Sequence, residues 1–322
     1  MTGRFIRCFC AIIAILPLAS PAGAGPAGDA DCTGLVNTFD QAIESGLESQ
    51  AQTLLDKIAT DAYCGRFQVR SKRRLASLRL LAAQTMMARS RPHLEYGRLL
   101  ADAERAEVLW QASATLGDVY FGERRFAESA AAFDRAIEIV KNETLTPTAP
   151  SKFEIESLFE RAAQSRILAA NGNGNGKGKG EFVRTARDQR DGRLGGLYAP
   201  SLRGITLHIV PVPITFDYAK TTFTSVGEQA ARELVTAIKE QGASKITLIG
   251  HTDVRGGAET NLKLSEERAV AVANFLRQNG IEASIDTIGK GATAPMQLSD
   301  TTGLSQEDIY ALNRRVEWQR SE

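Results

Sequence analysis

From residue 33 to about residue 90 the apolar positions recur at helical spacing. Leu35, Val36, Phe39, Ala42 and Ile43 form one stripe, and Ala51, Leu54, Leu55 and Ile58 form a second, as expected of helices that each bury one face. Gly46 falls between the stripes, which predicts an antiparallel helical hairpin. Leu75, Leu78, Leu80, Leu81, Met86 and Met87 predict a third helix over roughly 72–89 and read as core rather than as ligands. Helical patterning resumes over 110–143 and 152–169. The last third changes character. His208 to Phe216 reads as a strand, 225–241 as a helix, Lys245 to Gly250 as a short apolar strand, and about 258–278 as a helix ended by Gly280. Ile285 to Gly289 and Arg315 to Gln319 complete the pattern as strands. The expected class is therefore α+β: an all-α N-terminal part, then an α/β sandwich with helices on one face of a mixed sheet.

Between the two halves stands NGNGNGKGKG at 171–180, a low-complexity run that reads as a flexible linker. A phosphate-binding loop is excluded, because neither Lys177 nor Lys179 is followed by the required Ser or Thr. Residues 181–204 are basic and glycine-containing, and are expected to form an extended lead-in. The resulting plan is a leader over 1–24, a helical domain over 25–170, a linker with lead-in over 171–204, and an α/β domain over 205–322. The linker predicts that the two modules fold independently.

The first residues change the setting. Arg4 and Arg7 precede an apolar run from Cys8 to Ala19, and Ala22-Gly23-Ala24 has the form of a cleavage site. A run of about a dozen residues is shorter than the roughly 20 that a spanning helix needs. The pattern predicts export, with an uncleaved anchor as the alternative. Cys32 follows Asp29-Ala30-Asp31, a poor match to the small residues that precede a lipidated Cys. Cys32 and Cys64 would be the cysteines of the mature chain. In an oxidising compartment they are expected to pair, since the helical hairpin brings its two ends together. Apolar residues make up 43% of the chain and the formal net charge is +1. That supports a packed core and gives no reason to expect nucleic acid as a partner.

Residues 110–143 resemble one tetratricopeptide repeat. Leu116-Gly117 and Tyr120 mark its first helix, Ser129 the small contact position, and Phe133 and Ala136 the second helix. Such a repeat buries its face only against neighbours, so the flanking helices are expected to cap it and to present a surface to a partner protein.

The candidate chemistry lies where the strand 245–250 runs into Gly250-His251-Thr252-Asp253. Gly256-Gly257 follows, then a helix carrying Asn261, Leu264-Ser265 and Arg268. Asn261 and Arg268 are seven residues apart, two turns along one helix face, or about 10 Å. Asp253 sits at the carboxyl end of a strand, where α/β ligand sites gather. An aspartate near a guanidinium suits a zwitterion, the Arg taking a carboxylate with two parallel bonds and the Asp an ammonium. On charge alone an ordinary Asp–Arg salt bridge is the stronger reading.

The wider pattern resembles the C-terminal domain of outer membrane protein A, a domain also found in peptidoglycan-associated lipoprotein and the flagellar motor stator protein. The matching pieces are Ile214-Thr215-Phe216-Asp217, Gly250-His251-Thr252-Asp253 with Gly256, Asn261-x-x-Leu264-Ser265-x-x-Arg268-Ala269, Gly289-x-Gly291-x-x-x-Pro295, and Asn313-Arg314-Arg315-Val316. The resemblance implies a peptidoglycan-binding domain in which Asp253 and Arg268 clamp diaminopimelate of the peptide stem. It implies assistance from Asn261 and Arg314, with Thr252 beside the pocket and Phe216 and Asp217 at its rim. The chain departs from the family at Tyr218-Ala219-Lys220, where an Asn is common. Its polar stretch 299–312 resembles a family loop of variable length. His251 reads as structural, because no set of His, Cys and carboxylates at ligand spacing accompanies it.

The expectation is a non-catalytic periplasmic protein without a cofactor, held on the cell wall near the outer membrane, whose helical part engages an unidentified envelope protein. The alternatives are a wall-anchored enzyme activator and an envelope or motor component. No Ser-x-x-Lys or nucleophile elbow favours an enzyme, and the helical periodicity of 33–170 is not that of barrel strands. The leader makes the first prediction: N-terminal sequencing of the exported protein should begin at Gly25, and retention of Met1 or Thr2 would overturn cleavage.

Overall fold

The computed structural model describes residues 27–173, 180–187, 193–199, 201–206, 209–298 and 301–320. The leader expected over 1–24 and most of the run 171–180 lie outside the described residues. The chain divides into two compact units, one comprising residues up to 116 with 144–147, the other 117–143 with 148–322. This division falls within a helix, not at 171–180.

The first unit holds α1 (Ala27–Glu44), α2 (Glu48–Thr60), α3 (Gln68–Ala88), α4 (His93–Arg105) and the start of α5 (Trp110–Gly122). The helical hairpin forms as expected. The amides of Gly46 and Leu47 bond back to Ile43 and Ala42 and end α1. Val36, Phe39, Ala42, Ala51, Leu54, Leu55, Ile58 and Leu75 pack into one core cluster. Cys32 and Cys64 are disulfide-bonded, with Cα atoms 5.4 Å apart, and both are buried in that cluster. Cys32 lies inside α1 rather than ahead of it. Outside the core, Arg79 forks onto Glu48 at 2.7 and 2.9 Å and reaches Gln52 at 2.8 Å, tying α3 to α2. Helix α4 was not legible in the sequence. It buries only Leu100 and Ala103, and Leu94 is almost wholly exposed, so it carries no continuous apolar stripe.

The second unit holds the end of α5, α6 (Phe126–Lys141), α7 (Lys152–Ala170), β1 (Ile209–Val212), α8 (Ser225–Gln241), β2 (Lys245–Gly250), α9 (Ala258–Gln278), β3 (Ser284–Gly289), α10 (Gln306–Asn313) and β4 (Val316–Arg320). The four strands form one mixed sheet in the order β1-β4-β2-β3, with β2 and β3 parallel and β4 antiparallel to both β1 and β2. Val210, Val212, Ile246, Leu248, Val316 and Trp318 are buried in it. Helix α9 packs on β2 and β3, and α7 on β1.

The helix pair α5–α6 meets closely at Gly117. A Cβ there would fall 2.9 Å from the Phe133 ring, so a side chain at 117 would displace that ring. Ser129 Oγ donates to the Gly117 carbonyl at 2.8 Å and meets Ser165 Oγ of α7 at 2.9 Å.

Two segments differ from expectation. Residues 306–313 form a helix where the polar stretch 299–312 read as loop. A reciprocal cap starts it: Ser305 Oγ accepts from the Asp308 amide, and the Asp308 carboxylate accepts from the Ser305 amide. The buried residues of α10 include Asp308 and Asn313 as well as Ala311 and Leu312, so hydropathy hid the helix. The described part of the lead-in is not free chain. Its amides are captured by carboxylates of α6 and α8: Thr185 by Glu233 at 2.7 Å, Ala186 by Asp134 at 3.2 Å, Leu194 by Glu240 at 2.7 Å and Gly196 by Glu138 at 2.8 Å. A buried pair, Asp134 with Arg166 of α7, backs this strap, and Arg166 also donates to the Val183 carbonyl at 2.6 Å.

Arg124, at the α5–α6 corner, forks onto Asp308 at 2.7 and 2.9 Å. Burial opposes charge on Asp308, but the bonds from Arg124 and Ser305 outweigh it and hold the pKa at about 2. An ordinary Asp titrates near about 3.9. The folded value is the lower one, so the stabilisation is complete above about pH 4 and fades as pH falls toward about 2. Asp308→Asn should cost roughly 1–3 kcal/mol at pH 7 and remove that part of the acid sensitivity. Urea melts between pH 2 and pH 7 test it, and an unchanged acid profile in the variant would count against the bridge.

Candidate functional site

The end of β2 is drawn tightly against α9. A Cβ on Gly250 would lie 2.0 Å from the Ser265 carbonyl oxygen, so only glycine permits the approach. Ser265 Oγ in turn accepts from the Gly291 amide at 2.8 Å. The backbone beyond β2 is then held on two sides, His251 N–H to the Arg315 carbonyl at 3.0 Å and Thr252 N–H to the Gly291 carbonyl at 2.9 Å. Asp253 leaves this clamp at the carboxyl end of the strand, as expected.

The Asp253 carboxylate is buried and heavily engaged. The Arg255 amide donates to Oδ1 at 3.0 Å, and the Arg255 guanidinium approaches both oxygens, closest at 2.6 Å to Oδ2. Arg314 Nη1 donates to Oδ2 at 2.9 Å. Burial acts to raise the Asp253 pKa, but these bonds from Arg255 and Arg314 prevail and bring it to about 2. Asp253 is therefore a carboxylate at any physiological pH. Asn261 Nδ2 donates to the carbonyls of Asp253 at 3.3 Å and Arg255 at 3.0 Å, which fastens the turn to α9.

Arg268 lies two turns further along α9 and is only 8% exposed. Its Nε donates to the Lys220 carbonyl at 3.1 Å, and its guanidinium carbon sits 4.9 Å over the Phe216 ring. Among the described residues it makes no salt bridge, and its two Nη groups make no hydrogen bond. Burial, then repulsion from Arg314, lowers its pKa, and attraction from Asp253 partly offsets this. The charges of Asp253, Arg268 and Arg314 thus act on one another in one place.

The structure therefore brings together Asp253, Asn261 and Arg314 by direct bonds, with Arg268 beside them. Thr252 adjoins Asp253, and its buried hydroxyl has no partner among the described residues. Asp217 is not brought into bonding contact with these groups. It is half exposed, with Lys220 Nζ 3.9 Å away. Its loop is closed by the Asp217 amide bonding to the Thr222 carbonyl at 2.9 Å and by the paired rings of Phe216 and Phe223. Tyr218 stands almost fully exposed on that loop. His251 is buried, with Nε2 3.3 Å from Glu317, which also pairs with Arg315.

Sequence reasoning missed Arg255 and Glu307. Glu307 meets Arg314 Nη2 at 3.1 Å and Arg255 Nη1 at 3.3 Å. Its spacing of seven residues from Arg314 was a usable signal once 306–313 is known to be helical. Arg255, two residues after the aspartate in a turn, was not separable from an ordinary solvated charge.

Residues 215–308 match the model of the OmpA family. The chain is 34% identical over 109 residues to the probable lipoprotein YiaD of Escherichia coli, which covers 34% of this chain and 48% of that protein. It is 35% identical over 107 residues to the peptidoglycan-associated lipoprotein of Pseudomonas aeruginosa, covering 32% and 61%. A 34% identity over 132 residues links it to photosystem I P700 chlorophyll a apoprotein A2 of Gloeobacter violaceus, covering 40% and 15%. The chain thus spans between 15% and 61% of the length of these relatives. Among solved structures, the peptidoglycan-associated lipoprotein from Burkholderia pseudomallei is 26% identical with a TM-score of 0.29, over 34% of this chain and 88% of that one.

The site's internal bonds make a prediction about stability. Thr252→Val removes a hydroxyl without a partner among the described residues, and should change unfolding free energy by less than about 1 kcal/mol. Asn261→Ala leaves two carbonyls unpaired and should cost roughly 1–3 kcal/mol. Urea denaturation of both variants checks the order, and equal losses would contradict it.

Proposed function

With residues 215–308 forming an OmpA-family domain, we propose that the pocket at Asp253 and Arg268 holds the diaminopimelate of a peptidoglycan stem and catalyses no reaction. The observation that carries this reading is Arg268. A buried guanidinium with no carboxylate of its own is costly to keep. It is complementary to a ligand carboxylate, which it can take with two parallel N–H bonds. Asp253, held ionised beside it, suits the adjacent ammonium of the same zwitterion. Asn261 and Arg314 position Asp253, and the Phe216–Phe223 loop with Asp217 borders the pocket. Thr252 lies beside the pocket.

On this reading the protein works in the periplasm, anchored to the cell wall near the outer membrane. Its tetratricopeptide-like helices present a surface to another envelope protein. A single pocket binds modestly, and many stems on one polymer raise the apparent affinity by local concentration. The relatives whose printed names include peptidoglycan-associated lipoprotein support the choice of polymer.

Removing either charge should abolish co-sedimentation with purified sacculi, a loss of over a hundredfold if about 3–5 kcal/mol is involved. The two variants should differ in stability. Arg268→Ala deletes an uncompensated buried charge and should leave the melting temperature unchanged or higher. Asp253→Ala takes one of two carboxylate partners from both Arg255 and Arg314, leaving them only Glu307, and should lower it. Sacculus pull-down and circular dichroism on the same samples read both. Folded Arg268→Ala protein that still sediments at the wild-type level would sink the assignment.

A further inference from the structure

The carboxylate that should receive the ligand's ammonium is already full. A carboxylate offers about four acceptor positions. Asp253 spends them on the Arg255 amide at 3.0 Å, the Arg255 guanidinium at 2.6 and 3.2 Å, and Arg314 at 2.9 Å. An incoming ammonium must displace one of these donors. The two guanidiniums are not equally held. The side chain of Arg314 is 25% exposed, that of Arg255 51%. Arg255 belongs to a turn that continues into Gly256-Gly257. It also has a second anchorage already within reach, with Nη1 3.3 Å from Glu307 and the guanidinium carbon 4.6 Å over the Tyr310 ring.

We infer that Arg255 is a resident stand-in for the ligand's ammonium, occupying Asp253 in the free protein and swinging onto Glu307 and Tyr310 when a zwitterion enters. This rests on the pocket reading above. The exchange replaces one charge-assisted contact by another, so the ligand gains less from Asp253 than from an open carboxylate. Arg255 therefore sets the affinity. It also softens selection: a ligand with a carboxylate but no ammonium reaches Arg268 and leaves Asp253 paired with Arg255, so it forgoes less than it would at an open carboxylate. Glu307 and Tyr310 are the place to which the displaced guanidinium goes, and Glu307 also holds Arg314 at 3.1 Å.

Calorimetric titration of the full chain with free meso-diaminopimelate tests this. Arg255→Ala should bind about tenfold more tightly than wild type, and Arg255→Gln, which keeps most of the side-chain length without the charge, should do the same. Glu307→Gln should weaken binding in the wild-type background and weaken it less once Arg255 is Ala, where only its bond to Arg314 is lost, the coupling expected of residues that act through each other. Asp253→Asn serves as the control for the pocket. If Arg255→Ala and Arg255→Gln bind equally or more weakly while Asp253→Asn abolishes binding, the stand-in is overturned and the pocket assignment remains. An effect of Glu307→Gln of equal size in both backgrounds also overturns it. Absence of binding in wild type and Arg255 variants alike overturns both readings.

Discussion

The contact at Gly250 governs the arrangement of the α/β domain's working end. The last residue of β2 lies so close to the Ser265 carbonyl that no side chain fits between them. Once strand and helix are that near, Ser265 can hold Gly291, Gly291 can hold Thr252, and Asn261 can reach the carbonyls of Asp253 and Arg255. Each of those bonds is short-range and would be lost with a small displacement of α9. Asp253 and Arg268 come from different elements, and this one close approach fixes the distance between them. The proposed function needs that spacing held, because both charges of a zwitterion must be met at once.

The electrostatics around the pocket follow from unequal burial. Asp253 is surrounded by donors and stays ionised. Arg268 is buried with only a carbonyl and an aromatic face for company. A folded protein seldom leaves such a charge unmatched. Under the proposed function, the surplus of guanidinium over carboxylate here favours an acidic ligand group, and Arg314 adds to it by repelling Arg268.

Much of this was legible beforehand, for physical reasons that differ by element. Helices 225–241 and 258–278 and the strand 245–250 each carry a clean period and were placed within a residue of their bounds. Asp253, Asn261 and Arg314 were picked out from ordered motifs, and they are bonded together. Helix α10 was missed because its buried face includes Asp308 and Asn313, which satisfy polar partners instead of following hydropathy. The strap at 183–187 and 193–196 was missed because backbone amides do the bonding and the sequence does not show where amides go. The carboxylates that receive them, Asp134, Glu138, Glu233 and Glu240, carry no sequence signal that separates them from ordinary charges on a helix. The same blindness hid Arg255, whose role depends on which acceptor it faces.

The strap has a further consequence for hydrogen exchange. Residues 183–187 and 193–199 contain almost no helix or strand beyond one isolated bridge and a single turn. Yet the amides of Thr185, Ala186, Leu194 and Gly196 all point into carboxylates on two helices. Such amides exchange with solvent deuterium only when the opening frees them. A segment that looks like loop by its backbone angles should therefore open with α6 and α8, as part of their cooperative unit.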